Sequence, residues 1–111
     1  MTRKSKLALP FQVEERVKQL GANLRTARIR RGLTIQAAAE KIGVSRWAVM
    51  DVERGKPTSG IANYLAMLWA YDLLDGVAGL ADPATDKSGL ALLSAEQRQR
   101  VRRAETLDDD F

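Results

Sequence analysis

Apolar side chains at Val13, Val17, Leu20, Leu24 and Ala27 recur at steps of three and four, which predicts a helix over about Gln12 to Arg31. Pro10 stands just before it, where its missing N–H costs nothing, and Gly32 ends it. Thr34 and Ser45 each precede a shorter run with the same period, and their hydroxyls suit helix caps. Two short helices are therefore expected on either side of Gly43, where the chain must turn within about four residues and a positive φ is cheap only without a Cβ. Ala38, Ala39 and Ala48 leave room for a close crossing, while Ile42, Val44, Val49 and Val52 close a core beneath the turn. The pattern is a helix-turn-helix.

Lys56-Pro57-Thr58-Ser59-Gly60 reads as a loop, with Thr58 or Ser59 capping a helix over about Gly60 to Tyr71. That helix is apolar on nearly every side, so it must be covered on nearly every side. Tyr64, Leu68, Trp69, Leu73 and Val77 are candidates for the core or for contact with a second subunit. Asp72 is expected to cap a fifth helix, about Leu73 to Ala81, ended by Asp82-Pro83. A polar linker follows, then Leu90 to Leu93, too apolar to float free and expected to pack on the domain or across a dimer. Ser94 with Gln97 has capping-box spacing, which places a charged helix over Ala95 to Glu105. The organisation is thus an arm (1–11), a helical domain (12–82) and a C-terminal extension (83–111) ending Leu107-Asp108-Asp109-Asp110-Phe111.

Charge sharpens this picture. Residues 1–60 carry 13 Lys and Arg against 5 acids, whereas residues 61–111 carry 5 against 9. The basic half holds the helix-turn-helix, which is the footprint expected for a partner made of DNA phosphates. Arg3, Lys4 and Lys6 suit either a DNA-contacting arm or an unstructured start. The chain contains neither Cys nor His, so disulfides, thiolate chemistry and the commonest metal ligand and general base are missing. No enzyme, cofactor or metal is expected. No apolar stretch reaches the roughly 20 residues of a membrane span and Met1 to Pro10 lacks the apolar core of a signal peptide, so a cytoplasmic protein without membrane partners is expected.

Gly32-Leu33-Thr34, Ala39-Glu40-Lys41-Ile42-Gly43-Val44-Ser45 and Val52-Glu53-Arg54-Gly55-Lys56 resemble the Cro and lambda-repressor (XRE) class of helix-turn-helix regulators over roughly residues 20–81. The resemblance implies an all-α, five-helix lambda-repressor-like bundle with a basic N-terminal arm and an acidic C-terminal tail. It also implies a structural pair between Arg28 and Glu53 that ties the first helix to the third. Two positions depart from the class: Ile35 stands where a phosphate-binding Gln is usual, with Gln36 as its substitute, and Ala38 stands where a bulky Leu is usual. Ile61 to Pro83 with the acidic tail is most similar to HipB-type antitoxins, which implies a HipA-like kinase toxin as partner.

The outer face of the second motif helix is the part that enters the major groove in such proteins. Ser45, Arg46, Trp47 and Met50 are the candidates for reading bases: Arg pairs with guanine and Trp covers thymine methyls. Asp51 is a further candidate, to accept from cytosine or orient Arg46. Gln36, Arg30, Arg31, Arg54 and Lys56 are phosphate candidates, which set position more than sequence. The expected function is a homodimeric repressor on a double-stranded operator, with the tail Leu107 to Phe111 offered to a toxin. A phage-type or free-standing XRE regulator and a protein-interaction adaptor are the alternatives.

Overall fold

Thr34 and Ser45 cap two eight-residue helices, α2 (Ile35–Ile42) and α3 (Arg46–Glu53), after α1 (Phe11–Arg30). Each hydroxyl accepts a backbone N–H three residues on, from Ala37 at 3.0 Å and from Ala48 at 3.2 Å. Gly43 turns the chain between them at φ 73°. The computed structural model describes residues 9–110, with side chains as far as 106. Arg3, Lys4, Lys6 and Phe111 lie outside the described residues, as do the side chains of Leu107, Asp108, Asp109 and Asp110.

After α3 come α4 (Ile61–Ala70), a 3-10 turn (Leu74–Val77) and α5 (Lys87–Asp110). The architecture is the expected all-α one, with five helices and no strand among the described residues. The chain divides into two compact units, residues 1–75 and 76–111. In the first, α3 packs against α1, α2 and α4. Its core is Leu24, Ala38, Ala39, Val49, Val52, Tyr64, Met67, Leu68 and Tyr71.

The contact between α1 and the end of α3 is backbone against backbone. A Cβ added to Gly21 would collide with the Val52 carbonyl oxygen, and one on Gly55 would stand 2.6 Å from the Cα of Lys18. Only glycine fits at either position.

Helices α1 to α4 share one closure, in which an N–H past the end reaches back to the carbonyl five residues earlier. The pairs are Leu33 to Arg28 at 3.2 Å, Val44 to Ala39 at 3.0 Å, Lys56 to Asp51 at 3.0 Å and Leu73 to Leu68 at 2.8 Å. Glycine supplies the left-handed residue in the first three; in α4 it is Asp72, at φ 61°.

That geometry corrects the second half of the expected layout. Asp72 ends α4 instead of capping a helix, and the region expected as a helix from Leu73 to Ala81 holds only the short 3-10 turn, with Ala81 itself at φ 57°. Gly76 and Gly79 explain this, since each costs about 1 kcal/mol in a helix interior. The fifth helix lies further on and is longer than Ala95 to Glu105. It starts at Asp86, whose carboxylate accepts the Gly89 N–H at 2.9 Å, so Ser94 and Gln97 fall inside a helix and form no capping box. Neither Thr58 nor Ser59 caps α4, which begins after Gly60 without a side-chain cap. Leu90, Leu92 and Leu93, expected to pack on the domain or across a dimer, are 47, 72 and 48% exposed in the single chain, which bears on the first alternative and not on the second.

Candidate nucleic-acid interface

A helix of eight residues is too short to hold itself in water, so α3 owes its position to its ends and its inner face. Val49 and Val52 on that face are fully buried. At the C-terminal end, the Glu53 carboxylate receives Arg28 Nε at 2.6 Å and Nη2 at 3.1 Å, while Arg28 Nη1 donates to the Leu33 carbonyl at 2.8 Å. The two side chains are only 9% and 5% exposed. This is a fork-on-fork pair between α1 and α3 with a further bond to the turn before α2. The hydrogen bond to Glu53 raises the Arg28 pKa despite the opposing effect of burial, so the guanidinium stays charged. Arg28 and Glu53, the two residues named by the resemblance, are thus brought together.

With the inner face fixed, the N-terminal outer face of α3 presents Arg46 and Trp47. The Arg46 guanidinium carbon lies 5.0 Å from the centroid of the Trp47 ring, and Trp47 is 59% exposed. A flat cation stacked on an aromatic ring offers hydrogen-bond donors for a base edge beside an apolar surface for a methyl group. Ser45 uses its oxygen as a cap acceptor, which leaves its hydroxyl hydrogen to donate. Met50 is half-buried at the margin of the same face.

Asp51 has a different setting from the one expected. Its carboxylate stands 3.6 Å from Lys56 Nζ and 4.0 Å from Arg54 Nη1. It therefore holds the two phosphate candidates at the end of α3, and the i to i+3 spacing of Asp51 and Arg54 is the sequence signal for that role. Among the other cations, Arg30 is exposed, but Arg31 donates to the Ala27 carbonyl at 2.9 Å and lies over the Tyr71 ring at 5.8 Å. Arg31 thus braces α1 against the end of α4. Gln36 is exposed on the first turn of α2 and donates to Glu40 at 3.1 Å. That exposed bond is easily exchanged for a phosphate oxygen.

The five residues proposed for core or dimer contact separate. Tyr64 and Leu68 are buried in the first unit, Trp69 and Leu73 are 56% and 42% exposed, and Val77 is half-buried in the second unit. The tail residues Leu107 to Asp110 continue the backbone of α5. Sequence reasoning missed Gly21, although a lone glycine inside a strongly periodic helix is the usual signal of close approach. It also missed the Asp86 cap. Among the described residues no group of His, Cys, Asp and Glu is gathered as a metal site, and no helix is long and apolar enough to cross a membrane.

No curated protein and no solved structure matches the chain. The helix-turn-helix domain family matches residues 19–78, a span that opens in α1 and covers α2, α3, the loop and α4. A capped, wedged and clamped α3 with its basic and aromatic face outward, within a match over more than half its length, makes this chain a member of the helix-turn-helix domain family, of the XRE-like type, and a DNA-binding regulator.

Proposed function

We propose that two copies of the chain bind one operator and repress its own operon. The observation that carries this reading is the stacked Arg46 and Trp47 on the exposed face of α3, with Arg54 and Lys56 gathered by Asp51 at its other end. One face then offers base-reading groups and phosphate-binding groups together. A single eight-residue helix touches few bases, whereas two recognition helices about 34 to 36 Å apart reach matched half-sites on one side of the duplex. Selection from a random duplex pool followed by salt-titrated shift assays tests it. Arg46→Ala should lose about 1 to 3 kcal/mol at one base position and flatten preference there, and Lys56→Ala should weaken all sequences alike. An unchanged ranking of operator variants in Arg46→Ala would remove Arg46 from the reading.

The finer role is that of an antitoxin whose tail, Leu107, Asp108, Asp109, Asp110 and Phe111, engages a HipA-like kinase toxin. Support comes from charge: the run Asp108-Asp109-Asp110 makes this segment acidic and suited to a basic groove. Phe111 would add an aromatic anchor. A chain ending at Thr106 should keep operator affinity and lose most affinity for a co-expressed kinase-like partner. Full partner binding by that truncation would leave a free-standing regulator as the better account.

A further inference from the structure

Helix α5 carries an apolar stripe that nothing in its own unit covers. Leu90, Leu93, Gln97, Val101 and Ala104 fall on one side of the helix at 100° per residue, and Leu90, Leu93 and Val101 are 47, 48 and 56% exposed. The spacing of the stripe is symmetric about Gln97, with Leu93 and Val101 four residues to either side and Leu90 and Ala104 seven. We infer that α5 pairs with α5 of a second copy, antiparallel and centred on Gln97, so that this stripe is an interface of the homodimer proposed above.

The chemistry favours a second copy over an unrelated partner. Reversal about Gln97 lays Leu90 on Ala104 and Leu93 on Val101 of the other chain, large against small, and sets Gln97 against its own copy. A polar pair at the centre of an apolar seam fixes register, since any slip leaves the amide without a partner. The flanks match as well. In one chain Glu96 is bonded to Arg100 at 2.5 Å, and reversal brings Arg100 of the other copy within about 3 Å of the Glu96 level along the axis. Lys87 and Glu105 are brought together on the opposite flank in the same way. Arg98 meets its own copy there, and its length and exposure let both turn to solvent.

The stripe spans about 21 Å of helix, which buries less than the roughly 1,200 Å² typical of stable complexes. The pair is accordingly weak in free solution and effective when two copies are held on neighbouring half-sites. The seam ends at Glu105 and uses none of the tail residues Leu107 to Phe111.

Sedimentation of the full chain at about 100 µM should show dimer, and Leu93→Glu with Val101→Glu should raise the dimer Kd at least tenfold while helical content by circular dichroism is unchanged. The chain has no cysteine, so single cysteines report geometry cleanly. Under mild oxidation Gln97→Cys should cross-link to itself, and Leu90→Cys should cross-link to Ala104→Cys in a mixture but not to itself. A dimer that persists in the double glutamate variant overturns the α5 seam and leaves the homodimer reading standing on another face. Self-cross-linking of Leu90→Cys overturns the antiparallel order. A wild-type chain that is monomeric both free and on its selected operator overturns the seam and the homodimer together.

Discussion

Helices α3 and α5 reach their order by opposite routes. The eight residues of α3 are capped by Ser45, packed on three other helices, and closed at Gly55 with Glu53 clamped. Among the described side chains of the 24-residue α5 none is buried, and the one internal ion pair, Glu96 with Arg100, is exposed. An exposed pair of this kind contributes at most a few tenths of a kcal/mol, about 0.3 to 0.5, so α5 rests on length and on helix-forming residues such as Ala91, Leu92, Ala95, Gln97 and Arg100. A surface that must meet a fixed target needs the first kind of helix, because tertiary contacts fix orientation as well as conformation. A segment that adapts to partners can be the second.

The sharpest way to break the contrast is to release the clamp. Glu53→Ala leaves Arg28 buried without its partner and should cost about 3 to 5 kcal/mol in urea unfolding, with operator affinity falling only as the folded fraction falls. In a double-mutant cycle with Arg28→Ala, a coupling near zero would mean that the two side chains do not act as a pair. The same type of change in α5, Glu96→Ala, should pass almost unnoticed. Next comes the close approach. Gly21→Ala gains about 1 kcal/mol in intrinsic helix preference but drives a methyl into the Val52 carbonyl, and overpacking of this kind costs about 1 to 3 kcal/mol. Net destabilisation is expected. A stabilised Gly21→Ala protein would show that α1 and α3 have slack between them.

The core under α3 also sets how stability responds to alkali. Tyr64 and Tyr71 are buried with hydroxyls that find no partner among the described residues. Burial pushes both pKa values up, and for Tyr71 the Glu53 charge adds to this while Arg28 and Arg31 oppose it. In the unfolded chain a tyrosine ionises near pH 10, whereas in the folded protein it keeps its proton. The unfolded state therefore binds fewer protons above that pH, and stability is retained below about pH 10 and lost as pH rises beyond it. Tyr71→Phe should be neutral or stabilising by about 1 kcal/mol at pH 7 and should reduce the alkaline loss. An unaltered pH profile in the double phenylalanine variant would assign the loss to other groups.

The first half of the molecule was legible because its signals are local and mutually consistent. Thr34, Gly43, Ser45 and Gly55 each act within a few residues of where they stand, and the clamp followed from a resemblance specific enough to pair Arg28 with Glu53. Past α4 the signals compete. Leu73, Val77 and Leu80 have helical spacing, but Gly76 and Gly79 interrupt it, and in the strongest helix former of the region, residues 90–104, Ser94 mimics a start. Asp86, followed by Lys87, Ser88 and Gly89, held the true start. The contact of Asp51 with Lys56, five residues on, has no helical spacing to mark it, and only the i to i+3 spacing to Arg54 hints at what this Asp does.

Asp72 offers the finest test of the difference between the halves, because the two readings of it predict opposite signs. As an N-cap it would lose a few tenths of a kcal/mol on replacement by Gly and about 1 kcal/mol on replacement by Ala. As the left-handed residue that closes α4, at φ 61°, it carries a steric cost that glycine lacks, and its carboxylate sits at the negative end of the helix dipole. Asp72→Gly should then stabilise by about 0.5 to 1 kcal/mol, after allowance for the freer unfolded chain. Asp72→Asn should gain a smaller amount by removing only the charge, and Asp72→Ala should be neutral to unfavourable. The order Gly, Asn, Asp in decreasing thermal stability, measured at low salt, marks α4 as closed in the manner of α1 to α3. The reverse order would put a helix after Asp72, and the chain beyond Leu73 would then have to be redrawn.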